Sequence, residues 1–194
     1  MSEEKFLKKV WEYLINRYRE KSTVKIGGML CERREFSPSI DNPESIFTHE
    51  RGLRISSSGY YPSIEMYPSG RIEVWSPSIG DPSEIISFTC ELDKIKYNVE
   101  SIDDVWDMLS DKKNWRKLGK KYRKLVAWLR RGDKLAKRAT EETGIKVIWF
   151  VPSRKESNRF FFVATFNSKD MSDDEKLKMI GKAIDALEEA WRQM

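Results

Sequence analysis

The sequence predicts an α+β fold: a mostly antiparallel sheet with helices packed on one face, the N-terminal half β-rich and the C-terminal half helix-rich. Three observations carry this. Apolar residues recur at helical spacing near both ends of the chain. Between residues 23 and 99 the chain breaks into short β-like runs separated by Pro, Ser and Gly. Two continuous apolar runs, 145–151 (IKVIWFV) and 159–166 (RFFFVATF), sit between helical segments and are joined by the polar loop PSRKESN.

The first helix is expected over residues 3–20. Phe6, Leu7, Val10, Trp11, Leu14 and Ile15 form its apolar stripe, and Ser2 suits an N-cap. The runs TVKIGGML, SIFTHERGLRI, YYPSIEMY, RIEVWS and EIISFTC read as strands of a meander with one buried face. Within them MYPSGRIEVW reads as a hairpin, its turn supplied by Pro-Ser-Gly. Pro-Ser recurs six times, but irregular spacing and unlike flanks make it turn punctuation and not a repeat. Gly27-Gly28 lacks the further residues of a phosphate loop and reads as a bulge or a close backbone approach.

Residues 101–143 read as helical. Ser101 and Asp104 resemble a capping box that opens a short helix through Leu109. A long helix then runs from about Lys113 to Arg131. Gly132-Asp133 breaks it, Asp133 caps a further helix to Thr143, and Gly144 is a natural stop. Ser172 and Glu175 form a capping box for a closing helix to Arg192, with the stripe Leu177, Ile180, Ile184, Leu187 and Trp191. No linker rich in Gly, Ser or Pro divides the chain, so residues 1–194 read as one domain, with sub-lobes at 1–100 and 101–194 as a variant. Helices followed by a hairpin also match the order of a winged helix, with Arg154, Lys155 and Arg159 in the wing. The long middle helix and the continuously apolar strands count against it.

Composition bounds the function. Hydrophobic residues make up 39% and aromatics 12%, which supplies a core and argues against wholesale disorder. No apolar run approaches the roughly 18–20 residues that span a bilayer, and the N-terminus lacks a signal-peptide core, so a cytoplasmic location is expected. Charged residues reach 35% and Gln occurs once, a composition that points to a thermophilic source. Cys31 and Cys90 read as buried thiols, with a disulfide between them as the alternative in a hyperthermophile.

The charge is concentrated. Residues 112–138 hold thirteen Lys or Arg and one acid, Asp133, for a net +12. The whole chain carries +5, so everything else carries −7. On a helical wheel Trp115, Leu118, Tyr122, Leu125, Val126 and Leu129 share one face, while Lys113, Arg116, Lys117, Lys120, Lys124 and Arg131 share the other. No acid four residues away relieves that face within the expected helix. Nucleic acid is the expected anionic partner, because phosphates neutralised by Lys or Arg release counterions. The expected contacts are those residues with Lys121 and, beyond the break, Lys134, Lys137 and Arg138. Trp128 at the edge of the face is a candidate for base stacking, with packing against the sheet flank as its competing role.

Catalytic signatures are few. The single histidine, His49, rules out paired-His metal sites, and Asp41, Glu44 and Glu50 around it match no ligand spacing. There is no CxxC, GxSxG or P-loop, so neither a cofactor nor a metal is expected. Three functions remain. The leading one is a non-catalytic, weakly sequence-specific nucleic-acid-binding protein. The second is an interaction module that docks an acidic protein or forms a homo-oligomer. The third is a metal-dependent nuclease using strand-borne acids: Glu65 and Glu73 on the two arms of the hairpin, or Glu91 and Asp93 beside Lys94 and Lys96.

Overall fold

A computed structural model describes residues 3–20, 23–26, 29–32, 36–44, 49–57, 60–79, 108–120, 123–151 and 159–194. The first helix, α1 (Glu3–Arg17), is followed by a paired β1 (Thr23–Ile26) and β2 (Met29–Glu32). A sheet then takes in β3 (Ser39–Asp41), β4 (Leu53–Ser56), β5 (Ser63–Met66) and β6 (Arg71–Trp75). A 3₁₀ turn (Lys112–Asn114) leads into α2 (Trp115–Leu118) and α3 (Arg123–Thr143). Strands β7 (Lys146–Phe150) and β8 (Phe161–Asn167) return to the sheet, and α4 (Asp173–Arg192) closes the chain.

The sheet has six antiparallel strands in the order β3-β4-β5-β6-β8-β7. The α+β class is therefore the observed one. Pairing of β6 with β8 stitches the β-rich first half to the second, with Val74 opposite Ala164 and Trp75 opposite Val163. Strand β8 is thus interior to the sheet, with β7 at the edge, which departs from a winged-helix hairpin.

The expected β5–β6 hairpin forms. Gly70 N–H bonds to Tyr67 O at 2.9 Å and Tyr67 N–H to Arg71 O at 3.0 Å. Gly70 takes the left-handed conformation (φ 85°) that closes such a turn without a side-chain clash. The run TVKIGGML splits into two paired strands, with Ile26 opposite Met29. The reading of Gly27-Gly28, the Ser2 cap, the EIISFTC strand, the Ser101 capping box, the loop PSRKESN with its wing residues Arg154 and Lys155, and the side chains of Cys31 and Cys90 lie outside the described residues.

One sheet face carries Ile55, Ile64, Ile72, Val74, Val147, Trp149, Phe162 and Ala164, all buried in the main core. Helices α1, α3 and α4 supply the facing side chains: Val10 and Leu14, Leu125 and Leu129, Ile180, Ile184 and Leu187. The capping box of α4 is made in full: Ser172 Oγ accepts from Glu175 N, and Glu175 accepts from Ser172 N at 2.7 Å. Helix α1 is fastened to α4 by Tyr18 Oη donating to Glu188 Oε1 at 2.8 Å, and by Arg17 and Lys9 pairing with Asp185 and Asp174.

The expectation of a single buried face needs correction. On the opposite face Glu65 and Glu73 stand directly across from each other and are 0% and 1% exposed. They do not alternate into solvent as strand periodicity suggests. Their charge is met locally: Glu65 accepts from Arg54 and Tyr67, and Glu73 lies 3.5 Å from Arg71 Nε. Farther along the same face, Trp75 packs edge-on against Phe150 and Phe161 at 5.8 and 5.5 Å.

Candidate nucleic-acid interface

The basic segment begins with an anchored turn. Asp111 caps it by accepting from Lys113 N at 3.0 Å. Trp115 Nε1 donates to Leu109 O at 2.7 Å and Asn114 to Met108 O, which fixes the start of α2 to residues 108 and 109. Trp115 and Leu118 are buried, while Lys113, Arg116, Lys117 and Lys120 are exposed.

The expected helix from Lys113 to Arg131, broken at Gly132, is replaced by a different division. The helix stops after Leu118, with Gly119 N bonded to Trp115 O and Lys120 N to Lys117 O. Helix α3 then runs without a break from Arg123 through Gly132-Asp133 to Thr143. The reason is packing. Gly132 faces the Trp149 indole so closely that a Cβ there would lie 2.5 Å from its ring. Gly132 is thus a close-approach position inside a helix, held helical by its neighbours on both sides. Gly144, with φ 71° and its N–H on Thr140 O at 2.8 Å, ends the helix as expected.

Seen from the sheet, α3 presents Leu125, Val126, Leu129, Gly132, Ala136 and Ala139. Its other side exposes Arg123, Lys124, Arg130, Arg131, Lys134, Lys137 and Arg138. From Arg123 to Arg138 this stripe runs about 22 Å at ~1.5 Å per residue. Arg123 and Arg130 belong to it although the wheel drawn from sequence left them out. Both recur at i+7 with Lys124 and Arg131 beside them, a signal that was present in the spacing. Lys121 lies outside the described residues.

Part of the stripe has acidic partners. Asp133 pairs with Lys112 and, four residues on, with Lys137 at 3.1 Å; Arg138 pairs with Glu142 at 2.7 Å. Burial pushes the Asp133 carboxyl up, but hydrogen bonds from Lys112 and Lys137 outweigh it and hold it below the usual aspartate range. Lys113, Arg116, Lys120, Arg123, Arg130, Arg131 and Lys134 make no ion pair with a described residue.

The charge also runs against the helix. Helix α3 has no acid in its first turn and no base in its last. Arg123 and Lys124 sit in its first turn, and Glu141 and Glu142 at the C-terminal end. Both placements oppose the macrodipole, at a cost of roughly 0.3–1 kcal/mol per charge near a terminus.

Trp128 is half-buried and packs against β7 and Phe160. Its ring meets Trp149 at 5.3 Å and Phe160 at 4.8 Å, edge to face in both cases. Of the carboxylates considered for a metal site, Glu91 and Asp93, with Lys94 and Lys96, lie outside the described residues, and four of the others are engaged elsewhere. Glu65 and Glu73 are committed to Arg54, Tyr67 and Arg71; Asp41 accepts from Ser56, and Glu50 from Ser69. His49 is exposed with φ 53°, and the described residues hold no group of three metal-ligating side chains. Among the described residues no helix is long and apolar enough to cross a membrane. In comparisons with protein families, curated proteins and solved structures, the chain matches none.

Proposed function

We propose that the protein binds nucleic acid through the exposed cations of α2 and α3, contacting phosphates and reading little sequence. The observation that carries this is the placement of charge in α3. Exposed cations line the helix along about 22 Å, four of them (Arg123, Arg130, Arg131 and Lys134) make no ion pair with a described residue, and Arg123 and Lys124 in its first turn oppose the helix dipole. Charge arranged for helix stability has the opposite polarity. An external polyanion compensates such an arrangement and adds affinity by counterion release. The apolar side of the same helix is committed to the core, which weighs against insertion of this helix into a lipid surface.

The nuclease alternative gains nothing from Glu65 and Glu73, whose oxygens face Arg54, Tyr67 and Arg71 in a buried setting. The test is fluorescence anisotropy with labelled single- and double-stranded oligonucleotides at two salt concentrations, with and without Mg²⁺. Affinity is expected to fall steeply with salt and to drop at least tenfold in Lys120→Glu/Arg131→Glu/Lys134→Glu. Absence of binding at low salt overturns the proposal. A salt-sensitive assembly state without oligonucleotide binding supports docking to an acidic protein or a second copy instead. Shortening of the oligonucleotide in Mg²⁺ moves the reading to a nuclease.

A further inference from the structure

A cavity of about 980 Å³ opens where the β5–β6 turn, the start of β4, the first turn of α4 and the N-terminal part of α1 meet. Its volume falls at the upper end of the range of roughly 300–1,000 Å³ typical of small-molecule sites. Leu53, Met66 and Ile72 give it an apolar wall. Four cations line it, Arg51, Arg71, Lys169 and Lys176, against two carboxylates, Glu44 and Asp173.

Arg71 is the best-built of these groups. Its side chain is only 16% exposed, and its guanidinium lies over the Tyr67 ring at 4.1 Å. The acids beside it balance its charge at 3.5 Å without hydrogen-bonding it, and both accept from other groups. Glu50 is 3.5 Å from Nη2 but accepts from Ser69 N and Oγ at 3.1 and 3.0 Å. Glu73 is 3.5 Å from Nε and shares Tyr67 Oη with Glu65. Among the described residues, buried Arg71 Nε and Nη2 find no hydrogen-bond partner, and neither does Oδ2 of Asp173 on the same cavity wall. The nearest cations to Asp173, Lys9 and Lys176, stand off at 3.9 and 4.0 Å. A buried donor or acceptor left unmade costs roughly 1–3 kcal/mol, more when it is charged. Unmet donors and an unmet acceptor on one cavity wall describe a site complementary to a ligand carrying both. Lys169 is exposed at its rim and makes no ion pair with a described residue.

We propose that this cavity binds a small organic anion, which brings a phosphate or carboxylate to Arg71 and Lys169 and a hydroxyl or ammonium donor to Asp173. The site is separate from the basic helix and does not depend on it. The experiment is isothermal titration calorimetry of the full chain with adenosine 5′-monophosphate, glucose 6-phosphate, L-glutamate and inorganic phosphate. At least one organic anion is expected to bind saturably, at least tenfold more tightly than inorganic phosphate. That affinity is expected to fall at least tenfold in Lys169→Glu, a surface change, and in Arg71→Lys, with melting curves checking that each variant folds. It is expected to persist in the charge-reversed α3 variant. No saturable binding of any organic anion overturns the proposal, leaving a hydrated cavity. Binding that survives Lys169→Glu, or that disappears with the α3 charges, overturns it equally.

Discussion

At Gly132 the backbone of α3 touches an indole ring. Alanine is the better helix former by about 1 kcal/mol, so propensity alone favours Gly132→Ala. The contact reverses the sign, because the added methyl would lie 2.5 Å from Trp149. A net loss of roughly 1–3 kcal/mol is expected from overpacking, measured as a lower urea midpoint. Glu73 is a second residue whose surroundings decide its behaviour. Burial raises its carboxyl above the ordinary glutamate range, with Arg71 opposing. In the window above the unfolded value the folded state therefore holds a proton that the unfolded chain has released. Its contribution to stability is present below that window and is lost as pH rises through the folded pKa. Between about pH 5 and about pH 8, the wild-type chain is expected to lose more stability than Glu73→Gln, as read by urea unfolding at both pH values.

Helices α3 and α4 contrast at the scale of elements. Helix α4 follows the rules of its own sequence: acids Asp173, Asp174 and Glu175 in its first turn, Arg192 in its last, and a complete capping box. Ser172→Ala is expected to cost about 1 kcal/mol in thermal or urea unfolding, the usual value of a lost N-cap. Helix α3 has inverted charge and an internal glycine, and it is held by tertiary contacts. Thr140 Oγ1 accepts from Val147 N at 2.9 Å, and Lys182 donates to the terminal Thr143 carbonyl at 2.7 Å. Asp133 ties the turn before α2 to the middle of α3 through Lys112. Its carboxyl is held below the ordinary value, so this link contributes at neutral pH and is lost as pH falls through the folded pKa. Asp133→Asn is expected to cost up to about 1 kcal/mol near neutrality, and the difference from wild type is expected to vanish in acid, as followed by urea unfolding.

Over the whole molecule, the β6–β8 pairing places the helices on one face of a sheet drawn from both halves of the chain. The side of α3 turned away from that sheet carries the cations. Under the proposed function, a plot of log affinity against log salt is expected to be linear and steep. Each cation removed from α3, as in Arg130→Gln or Lys134→Gln, is expected to reduce its slope by roughly 1 if it contacts a phosphate. The same changes are expected to leave the urea midpoint nearly unchanged, because both side chains are exposed and make no ion pair with a described residue. Protein-unfolding and oligonucleotide-binding measurements on the same variants separate the two effects.

Local chemistry by itself determined the α+β class, α1, the β5–β6 hairpin, the Gly144 stop, the α4 capping box and the basic segment with its apolar counter-face. Each depends on periodicity, a turn residue or a cap within a few positions, and such signals are legible in one dimension. The tertiary structure decided the rest. Which of two glycines interrupts the basic segment depended on Trp149, a residue on another element that closes around Gly132. Folding of the turn before α2 against α3 brought Lys112 to Asp133, a pairing that no local spacing announces. The burial of Glu65 and Glu73, the packing of Trp128 and the cavity beside Arg71 all arise where distant segments converge. Strand alternation names the two sides of a strand, but only packing determines which of them water reaches.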